Sequence, residues 1–164
     1  SRRIQGIVPG RGMTSSLTFT RPAWRAVTRS SSRALPREVG GLLLGYYTVG
    51  GPLVLAAPVV RDSRATRVRY RRDATAAKQI LDEHVHRDQA GLTGYVGEWH
   101  SHPLPIGPSG TDIDAVRALA QAGRHDVALL VMALGPSGWV GHARNVTAEG
   151  DLHTIRVAVE GVAP

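Results

Sequence analysis

A chain of 164 residues, 42% hydrophobic, is long enough to bury one proper core, and its mixed charges exclude a disordered polyelectrolyte. With no cysteine, disulfides and thiolate metal ligands are excluded, so any metal must be held by histidine and carboxylate. No apolar run approaches a membrane span, which makes a cytoplasmic protein with no membrane partner the expectation, and the formal net charge of +7 raises the question of an acidic partner.

Ser1 to Ser16 is rich in Gly and Arg with little pattern and reads as an arm, residues 1–16, ahead of a single domain over 17–164. Leu17 to Thr20 can form a short strand. Pro22 at a helix start, followed by Trp24, Ala26 and Val27, predicts a first helix ending near Pro36. Glu38 opens a buried strand running to Tyr47. Gly50-Gly51 then makes a hairpin turn, and Leu53 to Val60 returns as a second strand.

The positive charge is densest from Arg61 to Arg72, where Val68 and Tyr70 alternate with Arg67, Arg69 and Arg71. A charged edge strand guarded against aggregation accounts for this pattern; the functional alternative is a docking surface for an acidic partner. No helix-turn-helix, zinc-finger or aromatic-on-sheet pattern accompanies the arginines, so nucleic acid is the lesser reading.

A second helix is predicted over Ala74 to Gln89, with Ala77, Ile80, Leu81, His84 and Val85 on one face. His84 and His86 lie about 200° apart around it, too far to share a metal, and His84 reads as a packed histidine. Gly91 and Gly94 precede the most informative stretch, a strand ending in Glu98-Trp99-His100-Ser101-His102-Pro103. Alternation sends His100 and His102 to one face and Trp99 and Ser101 to the other. Two imidazoles on one face, joined by a carboxylate from the next helix, supply three protein ligands and leave a fourth position open.

Ser109-x-x-Asp112 is at once a helix start, with Ser109 as cap and Asp112 in the first turn, and a source of that carboxylate. Thr111 and Asp114 offer the same capping device two residues later. Ile113, Val116, Leu119 and Ala120 form the buried stripe of this third helix, which Gly123 stops. Val127 to Ala133 is a central strand, Gly135 to Gly138 a turn into a strand from Trp139 to Arg144, and Leu152 to Val159 a last strand. Helices interleaved with hairpins give an α+β arrangement, a mixed and mainly antiparallel sheet flanked by helices. By parity Glu98 also shares the histidine face, so pattern alone allows it as third ligand or base.

Glu38, then His100-Ser101-His102-Pro103, Ser109 and Asp112, resembles the signature of the JAMM (MPN-plus, Mov34/JAB) metalloproteases: a distant glutamate, His-[Ser/Thr]-His-Pro, then Ser-x-x-Asp. Gly97 to Pro103 is similar to bacterial JAB-type peptidases encoded beside ubiquitin-transfer-like enzymes. The resemblance runs from about Glu38 to Asp112, with one departure: six residues, Pro103 to Pro108, separate His102 from Ser109, one fewer than the family usually has. The resemblance implies the JAMM/MPN (cytidine deaminase-like) fold and a zinc ion on His100, His102 and Asp112. Glu38 is then the general base and Ser109 the oxyanion donor. It further implies cleavage after the C-terminal residue of ubiquitin or a ubiquitin-like protein, E1/E2-like conjugation enzymes as partners, and an antiphage setting. Two alternatives stand beside it: a peptidase processing a ubiquitin-like sulfur carrier, and a metal-free basic binding module.

Overall fold

The computed structural model describes residues 15–61 and 74–163. Among them run β1 (Ser16–Phe19), α1 (Arg21–Ala34), β2 (Gly40–Thr48), β3 (Gly51–Ala56), α2 (Ala74–Arg87), β4 (Gly94–His102), α3 (Gly110–Gly123), β5 (Val127–Gly135), β6 (Gly138–Val146) and β7 (Leu152–Val159). The sheet is mixed and closes into a barrel in the order β1-β3-β2-β4-β5-β6-β7, with β7 returning to β1. Neighbours β2–β3, β2–β4, β5–β6 and β6–β7 are antiparallel; β1–β3, β1–β7 and β4–β5 are parallel.

Thr20 starts α1 by accepting from the Ala23 amide at 3.3 Å, and Pro22 sits in the first turn, where its missing N–H is no loss. Ala23 and Val27 of this helix pack with Leu17, Phe19, Leu43, Val54, Val96, Trp99, Leu130, Met132, Ala143 and Ile155, so one core draws on all seven described strands. The opposite strand faces carry the other two helices. Leu42 and Leu44 meet Ala77, Ile80 and Leu81 of α2, while Leu129, Val131 and Val146 meet Ile113, Val116 and Ala120 of α3. Strands buried on both faces need apolar residues at every position, which is why β2 and β5 read as unbroken apolar runs.

Several expected boundaries move. β1 takes in Ser16, and β2 begins at Gly40, leaving Glu38 and Val39 just ahead of the strand. The hairpin turn is Val49-Gly50, since Gly51, at φ 117°, already pairs with Thr48. β3 stops at Ala56 rather than Val60, and beyond it the Pro58 carbonyl accepts from Leu42 while Val59 makes only an isolated bridge to Gly41. Pro58 has no N–H to continue a ladder. On α2 the apolar face is narrower than expected, with Val85 46% exposed. Arg124, not Gly123, takes the left-handed conformation that ends α3. Of the Arg61 to Arg72 segment, residues 62–72 lie outside the described residues. Among the described residues no helix is long and apolar enough to cross a membrane.

The pairing of β2 with β4 slips by one residue between Leu43 and Leu44, which face Gly97 and Tyr95 and leave Val96 as the extra residue of a bulge. Beyond it, Gly97 approaches β5 so closely that a Cβ there would drive into the Ala128 carbonyl. Gly97→Ala should therefore destabilise the protein by about 1–3 kcal/mol or more, as an overpacked core does. Val140→Ala, at a 51% exposed site, should stay within about 0.5 kcal/mol. Urea denaturation of the two variants checks this; equal midpoints would refute the close approach.

Candidate metal centre

Parallel strands need a crossover between them, and α3 supplies it from β4 to β5. Its apolar stripe seats it on the outer face of β5, so its first turn lies over the carboxyl end of β4. There the two histidines of β4 and the aspartate of α3 meet. Parity holds as expected: Trp99 is fully buried in the barrel core and Ser101 is 1% exposed, while His100 and His102 face outward.

His100 Nε2 lies 3.2 Å from His102 Nε2 and 3.2 Å from Asp112 Oδ1; His102 Nε2 lies 3.6 Å from Asp112 Oδ2. One ligand atom from each of these three residues falls within 4.8 Å of the other two. Donors bound tetrahedrally to one zinc at 2.0–2.2 Å sit about 3.3–3.5 Å apart, so the set fits a small divalent ion. His102 Nδ1 is 2.7 Å from the Ile106 carbonyl, which can only accept. Nδ1 therefore carries a proton, the tautomer that in a neutral imidazole leaves Nε2 as the ligating nitrogen.

Ser109 and Asp112 form a full capping box. The Asp112 amide donates to Ser109 Oγ at 3.1 Å, and the Ser109 amide donates to Asp112 Oδ2 at 2.7 Å. Ser109, not Thr111, is the cap. Partial burial pushes the Asp112 carboxyl up, but His100, by hydrogen bond and charge, and the Ser109 amide and hydroxyl outweigh it. The carboxyl is held well below the usual carboxylate range and is ionised at neutral pH.

Glu38 is 6% exposed and brings Oε1 to 3.8 Å from His102 Nε2, beside the three donors. Glu98 shares the outer face, as parity requires, yet its Oε1 accepts from the Tyr95 hydroxyl at 2.8 Å. The group of potential ligands that converges among the described residues is His100, His102 and Asp112, without Glu98. His84 is half-buried on α2, with Nδ1 2.9 Å from the Ile80 carbonyl, consistent with a packed histidine.

Three contributors escape a reading by pattern. Tyr95 and Glu98 are three apart and share a face only because the bulge at Val96 reverses parity between them; an interior glycine such as Gly97 is the available signal of a bulge. The Ile106 carbonyl acts through its backbone and leaves no side-chain mark. The contact of Ser101 with Val39 joins residues 62 apart.

The chain belongs to the prokaryotic JAB family: residues 20–154 match the family described as prokaryotic homologs of the JAB domain. It is 29% identical over 125 residues to the "Probable metalloprotease y4qB" of Sinorhizobium fredii, covering 72% of this chain and 76% of that one. It is 30% identical over 122 residues to the "CD-NTase/cGAS isopeptidase" of Enterobacter hormaechei, covering 70% of this chain and 65% of that one. A solution structure of a Desulfitobacterium hafniense protein superposes with a TM-score of 0.62 at 20% identity, over 88% of this chain and 92% of that one. One from Salinibacter ruber gives 0.58 at 20% identity, over 90% and 95%. These two likenesses establish the fold.

Because Ser109 caps α3, Ser109→Ala should cost about 0.5–2 kcal/mol of stability in chelator-treated protein, and Ser109→Asp should recover most of it. Chemical denaturation measures both; no loss in the alanine variant would mean that the box contributes nothing to the helix start.

Proposed function

We propose that this protein is a zinc-dependent peptidase that cleaves after the C-terminal residue of a ubiquitin or ubiquitin-like protein. It would release that protein from a conjugated target or from its precursor, in a bacterial antiphage conjugation system with E1/E2-like enzymes. The observation that carries the peptidase reading is the meeting of His100, His102 and Asp112 with Glu38 beside them. The relative named an isopeptidase supports the bond type, and the resemblance of the histidine motif supports the substrate class.

His100, His102 and Asp112 would hold the metal, whose chemistry when bound is Lewis acidity: it makes water acidic near neutral pH and polarises a carbonyl. The Ile106 carbonyl keeps His102 in the tautomer that can ligate. Glu38 accepts the proton of the attacking water and passes it to the leaving amine. Ser109 is exposed, and its Oγ accepts from the Asp112 amide, so the hydroxyl proton remains free to donate to the developing oxyanion. Ser101 faces away from the histidines, so in this reading it is not the nucleophile, and no covalent intermediate is needed. A substrate tail that pairs with the main chain would do so away from β4, which is already paired with β2 and β5.

Elemental analysis of the purified protein should give one zinc per chain. His102→Ala should lose metal and activity together. Glu38→Ala should keep the zinc and lose about 10²–10⁴-fold in single-turnover rate. Glu98→Ala should keep zinc and most turnover. The substrate is a ubiquitin-like protein fused through its C-terminal residue to a reporter, with cleavage followed by mass. Zinc near zero with chelator-insensitive activity would overturn the metal reading. Loss of turnover in Glu98→Ala, with Glu38→Ala active, would move the base to the strand.

A further inference from the structure

The middle residue of the histidine triplet takes no part in the chemistry above, yet Ser101 is a polar side chain only 1% exposed. Its amide donates to the Val39 carbonyl at 2.8 Å, and the Val39 amide donates back to Ser101 Oγ at 3.1 Å. The Val39 N–H belongs to the peptide unit that joins Glu38 to Val39. Whatever fixes the plane of that unit also fixes the direction in which Glu38 leaves the backbone.

This control matters because Glu38 lies outside regular structure. α1 ends at Ala34 and β2 begins at Gly40, whose ladder partner is His100. The Val39–Ser101 pair extends that contact by one residue, with a side-chain oxygen as one of the acceptors. The Val39 side chain packs against the barrel core and anchors the segment laterally, but it does not set the rotation of the peptide. Removing the hydroxyl leaves the part-buried Val39 N–H without this acceptor, and the peptide turns to find another. Glu38 turns with it.

We propose that Ser101 is a positioning residue for Glu38: its hydroxyl clamps the Glu38–Val39 peptide so that the carboxylate stands 3.8 Å from His102 Nε2. The proposal rests on the reading of Glu38 as the base. The triplet then divides its work between two faces of one strand, with two imidazoles outward and one hydroxyl reaching sideways to the segment that carries the base. A threonine in this place keeps the hydroxyl; an alanine does not.

The test uses the zinc-loaded full chain and four variants: Ser101→Ala, Ser101→Thr, Glu38→Gln and the Ser101→Ala/Glu38→Gln double. Ser101→Ala should keep one zinc per chain and its KM, and lose about 10–100-fold in single-turnover cleavage of the ubiquitin-like fusion, the scale of a misplaced catalytic group. Its crystal structure should show Glu38 withdrawn from His102. Ser101→Thr should restore both rate and position. In the Glu38→Gln background, Ser101→Ala should cost nothing further, since there is no base left to misplace. An unmoved Glu38 in the alanine variant, an unchanged rate, or an equal loss in the Glu38→Gln background would each overturn the proposal. If Ser101→Ala does not fold, Ser101→Cys, which keeps the volume and weakens the acceptor, carries the same test. Full turnover in Glu38→Gln would instead overturn the reading of Glu38 as base, and the crystal structures, which need no substrate, would still decide whether the clamp exists.

Discussion

The whole site depends on the alternation of side chains along β4, held fixed because both faces of that strand are occupied. Trp99 is locked in the barrel core, and the strand is paired on both sides, with β2 and with β5. A slip of one residue would bring Trp99 out and turn both histidines into the core, at a cost no other contact could offset. Burial of one indole therefore orients two imidazoles. A site carried on such a strand is held more closely than one carried on loops, which suits donors that must converge within 4.8 Å.

The third donor is positioned by an unrelated device, the start of a helix. The hydrogen bonds that cap α3 also orient the Asp112 carboxylate and help keep it ionised. The cap of the helix and the orientation of a candidate ligand are thus one arrangement seen from two sides. Around it, two carboxylates and two imidazoles come together in a largely buried recess, where the Glu38 side chain is 6% and that of Asp112 17% exposed. A cation is the natural charge complement of such a set, because buried carboxylates are costly without one.

Closure of the sheet governs how the site can be approached. Among the described residues β4 has no free edge, because β2 and β5 pair with it on either side, and the histidines are open only on the outer face of the strand. The exposed Leu104 and Ile106 stand on the loop that follows His102, and the backbone of Ile106 also supports that histidine. The loop that faces solvent and the tautomer of a candidate ligand are therefore mechanically linked.

Much of this was legible in the residues themselves. The unbroken apolar run of β5, the alternation of Glu98 to His102 and the Ser-x-x-Asp at the start of α3 are local patterns, and local sterics and capping chemistry realise them almost wherever the segments lie. Those patterns determined the elements, the common face of the histidines and the helix start that bears Asp112. Only the tertiary structure decided which carboxylates reach them. Glu38 arrives from 62 residues before His100 because β2 pairs with β4, and Glu98, two residues away, is held by Tyr95 across a bulge. Closure of the sheet and the Ser101–Val39 contact belong to the same class. The physical reason is that local pattern specifies a side chain's direction, whereas its neighbours depend on strand register, which is settled by packing the whole core at once.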